Sequence, residues 1–197
     1  MRHAPASNGC SRPRKHATKW AAPTLSSHPR SQNHCDEVLA DFQHADATQL
    51  PFADGQFDAA MTIHVAMNIA AKDKMYAEAR RVLKPGSRFA AYDILQGEGG
   101  EVFFPVPWAR EPSISHLATP DGMRSLLTGA GFKIIAVEDS TEESQTWFEA
   151  MAARMAEAAP AVTFQAFLGS DFPEMARNQV RNLRDRRIRT VTYICQS

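Results

Sequence analysis

FDAAMTIH (Phe57–His64), a helical stretch over Asp73–Lys84, and SRFAAYDIL (Ser87–Leu95) follow one another closely, and together they decide the fold. The first and third are short apolar runs bounded by polar or turn residues, the pattern of buried strands. Between them Met75, Tyr76, Ala79, Val82 and Leu83 recur at helical spacing, and Lys84-Pro85-Gly86 breaks the helix. Short apolar strands joined by a helical crossover pair in parallel, which predicts an α/β sheet with Phe57–His64 as its central strand.

The pattern continues outward on both sides. Upstream, a short extended piece at 38–45 leads into the turn-rich Asp46–Gln56. Downstream, Gly97–Pro112 reads as a long loop carrying Phe103, Phe104 and Trp108. Thr119-Pro120 opens a helix with Met123, Leu126 and Leu127 inward, ended by Gly129–Gly131. FKIIAVED (Phe132–Asp139) alternates as a third strand, and IRTVTYIC (Ile188–Cys195) closes the sheet as a fourth. Ser140-x-x-Glu143 and Asp171-x-x-Glu174 have the form of capping boxes that start two more helices. Trp147, Phe148, Met151 and Met155 mark one face of the first. They and Phe164, Phe167 and Met175 read as packing.

Charge divides the chain. The 197 residues hold 22 Lys and Arg against 22 Asp and Glu, a formal net charge of zero. Yet residues 1–35 carry Arg2, Arg12, Arg14, Lys15, Lys19 and Arg30 with no acid at all. This basic head is rich in Ser, Pro and His, lacks apolar periodicity, and reads as disordered, with the domain occupying 36–197. The abrupt change near Asp36 favours a start site or reading frame foreign to the rest over a transit peptide. The acidic remainder argues against nucleic acid as a partner. No apolar run approaches the ~18 residues of a membrane-spanning helix. Cys10, Cys35 and Cys195 are too scattered for a disulfide framework or a zinc pattern, and no histidine cluster implies a metal.

The motifs DATQLPFADGQFD (Asp46–Asp58), HVAMNI (His64–Ile69), RVLKPG (Arg81–Gly86), YDI (Tyr92–Ile94), FPVPWA (Phe104–Ala109) and GAGF (Gly129–Phe132) occur in that order. In them the chain resembles the class I S-adenosylmethionine-dependent methyltransferases, particularly the sarcosine and dimethylglycine N-methyltransferase branch. The resemblance implies a Rossmann-like sheet, truncated on its N-terminal side, with an antiparallel last strand. It also implies S-adenosyl-L-methionine as cofactor, and a cytoplasmic enzyme methylating a small-molecule acceptor, an amine such as a glycine derivative.

Each candidate residue has a plain structural reading beside the functional one. Taken alone, Asp46 is a turn residue before Leu50-Pro51. The resemblance makes Asp46 and Ala47 the adenine contacts, through the carboxylate and the small residue's N–H. His64 and Asn68 either satisfy local backbone groups or flank the methionyl end of the cofactor (His64) and the incoming amine (Asn68). Tyr92 and Asp93 at a strand end, with Phe104, Trp108 and Arg110 in the following loop, form a second cluster. Aromatic faces there suit a sulfonium or methylated ammonium, and Arg110 suits a substrate carboxylate. Of these, Asn68, Tyr92, Trp108 and Arg110 are the substrate-binding candidates; no catalytic residue is assigned.

One family feature is missing. Residues 1–45 contain only Gly9, with no glycine-rich turn for the methionyl and ribose groups and no separate ribose acid. The chain therefore reads as a family member lacking its first β-α-β unit. The alternative to weak or partner-completed methyl transfer is a non-catalytic remnant or binding module. A nicotinamide oxidoreductase needs the same glycine turn and is set aside.

Overall fold

The computed structural model describes residues 41–157 and 165–197. The basic head, the boundary expected at 36 and Phe164 lie outside the described residues, as do the side chains of Met155 and Phe167. In chain order the elements are β1 (Phe57–Ile63), α1 (Lys72–Val82), β2 (Leu83–Gln96), α2 (Pro120–Gly129), β3 (Lys133–Asp139), α3 (Thr141–Glu157), α4 (Gln165–Leu168), α5 (Phe172–Arg184) and β4 (Ile188–Gln196). A single 3-10 turn at Ala66–Asn68 follows β1, and another, Pro112–Ile114, lies between β2 and α2.

The strands form one open sheet in the order β1-β2-β4-β3. β1 and β2 are parallel, whereas β4 inserts antiparallel between β2 and β3. The antiparallel last strand and the α/β class are as expected. One face of the sheet packs under α1 and α2, where Tyr76, Phe89, Met123, Leu127 and Tyr193 are fully buried. The other face carries a smaller cluster of Met67, Ile94, Leu183 and Ile188.

Three expectations need correction. First, β1 is the edge strand of the described sheet, with Asp58, Ala59, Met61 and Ile63 exposed. Its apolar run suggests two flanking neighbours, but among the described residues only β2 pairs with it. A register shift between Phe57 and Ala59 also changes which residues face inward. Phe57 is buried before the shift, Thr62 after it.

Second, Lys84-Pro85-Gly86 does not separate α1 from β2. The helix ends at Val82, Leu83 is already extended, and Leu83 pairs with Phe57. The Lys84–Ser87 stretch then bulges, with Gly86 at φ +82°, before Arg88 pairs with Ala59. Third, neither capping box forms through its first side chain. The Ser140 hydroxyl faces Thr190 of β4, while Asp139 Oδ1 accepts from the Thr141 N–H at 3.0 Å. Asp171 makes no cap bond, because its carboxylate is paired with Arg110. At α2, which Thr119-Pro120 opens as expected, the Thr119 hydroxyl caps the helix by accepting from the Gly122 N–H at 3.1 Å.

The Leu50-Pro51-Phe52 segment is held by Arg81 of the RVLKPG motif. Its guanidinium makes a fork to Glu78 at 2.7 and 2.8 Å and donates to the carbonyls of Phe52 and Leu50 and to Asp54. Glu78 in turn accepts from the Leu50 N–H at 2.7 Å. Two motifs that are separate in sequence are thus one hydrogen-bonded unit, and that unit fixes the turn containing Asp46 and Ala47 against α1. No helix among the described residues is long and apolar enough to cross a membrane.

Candidate active site

Parallel strands β1 and β2 both end at the same rim, where an open α/β sheet places its ligands. At the end of β1 the backbone turns through His64 at φ +51°, a left-handed conformation uncommon outside glycine. Its N–H donates to the Tyr92 carbonyl at 2.8 Å, and its ring tilts against the Tyr92 ring with centroids 4.6 Å apart. Burial holds the His64 pKa below the ordinary histidine value, so the imidazole is neutral at neutral pH. Its Nδ1 is buried without a hydrogen-bond partner among the described residues.

The loop after β2 is pinned from two sides. Asn68 donates from its side-chain amide to the carbonyls of Trp108 at 2.8 Å and Ile114 at 3.2 Å. The Trp108 indole N–H donates to the Ser115 hydroxyl at 3.0 Å. From the other side, buried Asn182 of α5 accepts from the Phe103 N–H and donates to its carbonyl, at 2.9 and 3.0 Å. Asn178 adds a bond to the Pro105 carbonyl at 3.0 Å. The Phe103 ring also receives the guanidinium groups of Arg181 and Arg187, 3.6 and 4.0 Å from its centroid.

These elements enclose a cavity of about 530 Å³. His64, Met67 and Asn68 line it from the end of β1, Tyr92 and Ile94 from β2, and Pro107 and Trp108 from the loop. α3 contributes Ser144, Trp147, Phe148 and Met151, and α5 contributes Phe172, Ala176 and Gln179. Among the described residues no Asp, Glu, Lys or Arg lines it. The Ser144 and Thr190 hydroxyls satisfy each other at 2.8 Å.

Four candidates from the sequence therefore meet here: His64, Asn68, Tyr92 and Trp108. Arg110 does not. It pairs with Asp171 and donates to the Leu168 carbonyl at 3.4 Å, tying the loop to the start of α5. Asp93 faces away, because Tyr92 and Ile94 line the cavity and side chains alternate along a strand. It is 1% exposed, and desolvation raises its pKa to about 6. The N–H groups of Ile94, Ala66 and Met67 and the Lys72 ammonium oppose that rise.

Asp46 and Ala47 lie elsewhere. Asp46 Oδ1 accepts from the Thr48 N–H and hydroxyl, both at 2.8 Å, and these bonds hold its pKa below the usual aspartate value. This is the turn arrangement that Asp favours when read alone. Ala47 lines a second, strongly apolar cavity of about 470 Å³ beside β1, with Leu50, Phe52 and Ala59–Thr62. Adjacent β1 residues line it, so it reaches both faces of that strand.

Gln179 was missed from sequence. It follows Met175 by four residues and precedes Leu183 by four, so a polar residue on the inward stripe of α5 was the signal available. The roles of Ser144 and Thr190 depend on α3 and β4 meeting, which no local pattern announces.

The family described as a methyltransferase domain matches residues 21–91. Among solved structures, a protein described as a sarcosine dimethylglycine methyltransferase from Galdieria sulphuraria superposes with a TM-score of 0.63 at 14% identity, over 78% of this chain and 58% of that one. The cyclase SpnF gives 0.59 at 22% identity, over 80% and 56%. The fold is the Rossmann-like methyltransferase fold. The O-methyltransferase cnsE of Penicillium expansum is 36% identical over 107 residues, 51% of this chain and 37% of that protein. The chain thus spans little more than a third of such curated relatives. The presence of a cyclase on the same fold means that chemistry has to be argued from the site.

Proposed function

We propose that this chain acts in S-adenosylmethionine-dependent methyl transfer to a small-molecule acceptor. The observation that carries the proposal is the cavity at the shared rim of β1 and β2, walled by aromatic side chains and bordered by a neutral histidine. The fold, the domain match and the names of the relatives support a methyltransferase.

The residues present fit part of the cofactor. Asp46 is exposed and uses only Oδ1 in its turn, leaving Oδ2 for the adenine amine, with the small Ala47 beside it. His64, one residue past β1, would border the methionyl end. When bound, S-adenosylmethionine supplies an electrophilic methyl on sulfur. The chain's own part is to align the acceptor and exclude water, with Trp108, Trp147 and Phe148 closing over it. His64 takes the acceptor's proton through Nε2, since Nδ1 is sealed in the fold.

The acceptor expected from sequence, an amine such as a glycine derivative, keeps the aromatic loop as support but not Arg110, which pairs with Asp171 outside the cavity. A second reading, a binding module without turnover, rests on a cavity lined mainly by apolar and aromatic side chains, which can hold a ligand without chemistry. Calorimetric titration with S-adenosylmethionine and S-adenosylhomocysteine, followed by radiolabelled methyl transfer, separates the two. Binding with transfer supports the enzyme; acceptor binding without transfer supports the module; no cofactor binding overturns the proposal.

A further inference from the structure

α5 presents an amide, that of Gln179, to the cavity beside Phe172 and Ala176. Gln179 is 2% exposed, between Met175 and Leu183, and its Oε1 is buried with no hydrogen-bond partner among the described residues. Asn182, on the same helix and equally buried, has both ends of its amide satisfied by Phe103. The contrast matters, because an unpaired buried acceptor is costly, and an occupant of the cavity that supplies a donor relieves that cost.

The rest of the lining narrows what that ligand is. A cavity of about 530 Å³ suits one compact organic molecule. Its walls are Trp108, Trp147, Phe148 and Met151, with no charged side chain among the described lining residues. Arg110 is held by Asp171 outside it. A carboxylate or zwitterion would lose its hydration without gaining a counter-charge.

We propose that the cavity takes an uncharged, largely apolar compound bearing a hydroxyl that donates to Gln179 Oε1, making Gln179 a specificity-determining residue. The inference rests on reading this cavity as the acceptor site. It excludes free glycine derivatives as preferred occupants.

The test is binding to the full chain without cofactor, read by tryptophan fluorescence, because Trp108 and Trp147 line the cavity. The probes are p-butylphenol, its methyl ether p-butylanisole, and sarcosine. The phenol is expected to bind about fivefold or more tightly than the ether, the scale of one buried hydrogen bond. That ratio falls to about one in Gln179→Leu, and sarcosine gives no saturable signal. A ratio unchanged by Gln179→Leu, an ether that matches the phenol on the wild type, or preferential sarcosine binding overturns the proposal. Each ratio is taken within one protein. If Gln179→Leu fails to fold, Gln179→Met and the wild-type comparisons decide. Methyl transfer is not read here, so phenol binding without turnover refutes the activity and leaves the role of Gln179 standing.

Discussion

Asn68 and Trp108 are forty residues apart in sequence, yet the Asn68 amide donates to the Trp108 carbonyl at 2.8 Å. This bond and its partner to Ile114 tie the turn after β1 to the loop that roofs the cavity. Asn68→Ala should therefore loosen the roof without unfolding the sheet. The side chain is exposed, so the cost in global stability is about 1 kcal/mol or less. Hydrogen exchange should quicken over residues 108–116 and stay unchanged in β2. Equal protection throughout would mean that α5 alone holds the loop.

His64 carries a pH signature of its own. Burial disfavours its charged form, so the folded pKa lies below the unfolded one. The stability this group contributes is present above the unfolded histidine value and is lost as pH falls through the folded one. Its capacity to take a proton follows the same direction. The acid limb of kcat/KM should lie below the ordinary histidine range, and His64→Gln should abolish it with a loss of about a hundredfold in kcat. A variant that keeps both the limb and the rate shows that His64 only shapes the backbone turn.

Asp93 works in the opposite sense. Its carboxyl is raised from 3.8 to about 6, chiefly by burial. As pH climbs through that interval the unfolded chain ionises first, so the folded state loses stability rather than gaining it. The size is on the order of 3 kcal/mol. In urea denaturation the stability of the wild type relative to Asp93→Asn should fall by about that much between about pH 4 and pH 7. Because both proteins contain His64 and Lys72, their contributions largely cancel in the comparison. A difference independent of pH would show that Asp93 is solvated in solution.

These groups also show where sequence reading succeeds and where it stops. The third strand starts one residue later than expected and the fourth ends one later, because alternation and flanking turn residues are local signals. The edge position of β1 was not legible, since an apolar run looks the same with one neighbour or two. Asp171 has the local form of a helix cap but is taken by Arg110, which lies far away in sequence. The family resemblance singles out His64 with Asn68 and, as a second cluster, Tyr92 with Trp108; that these line one cavity is tertiary and not legible locally. Gln179 joins them only because α5 folds across the sheet.

Asp46 is the remaining decision, because its two roles predict different mutant behaviour. Oδ1 serves the turn through Thr48, while Oδ2 makes no hydrogen bond among the described residues. Thr48→Ala removes the side-chain half of the turn and leaves the carboxylate. Asp46→Ala removes the carboxylate itself. If Oδ2 accepts the adenine amine, calorimetry with S-adenosylhomocysteine should show Asp46→Ala weakening affinity on the order of tenfold, and Thr48→Ala changing it by no more than about twofold. Equal losses in the two variants would assign the effect to the shape of the turn. Full affinity in Asp46→Ala would place adenine elsewhere, with the apolar cavity beside Ala47 and Leu50 the next region to probe.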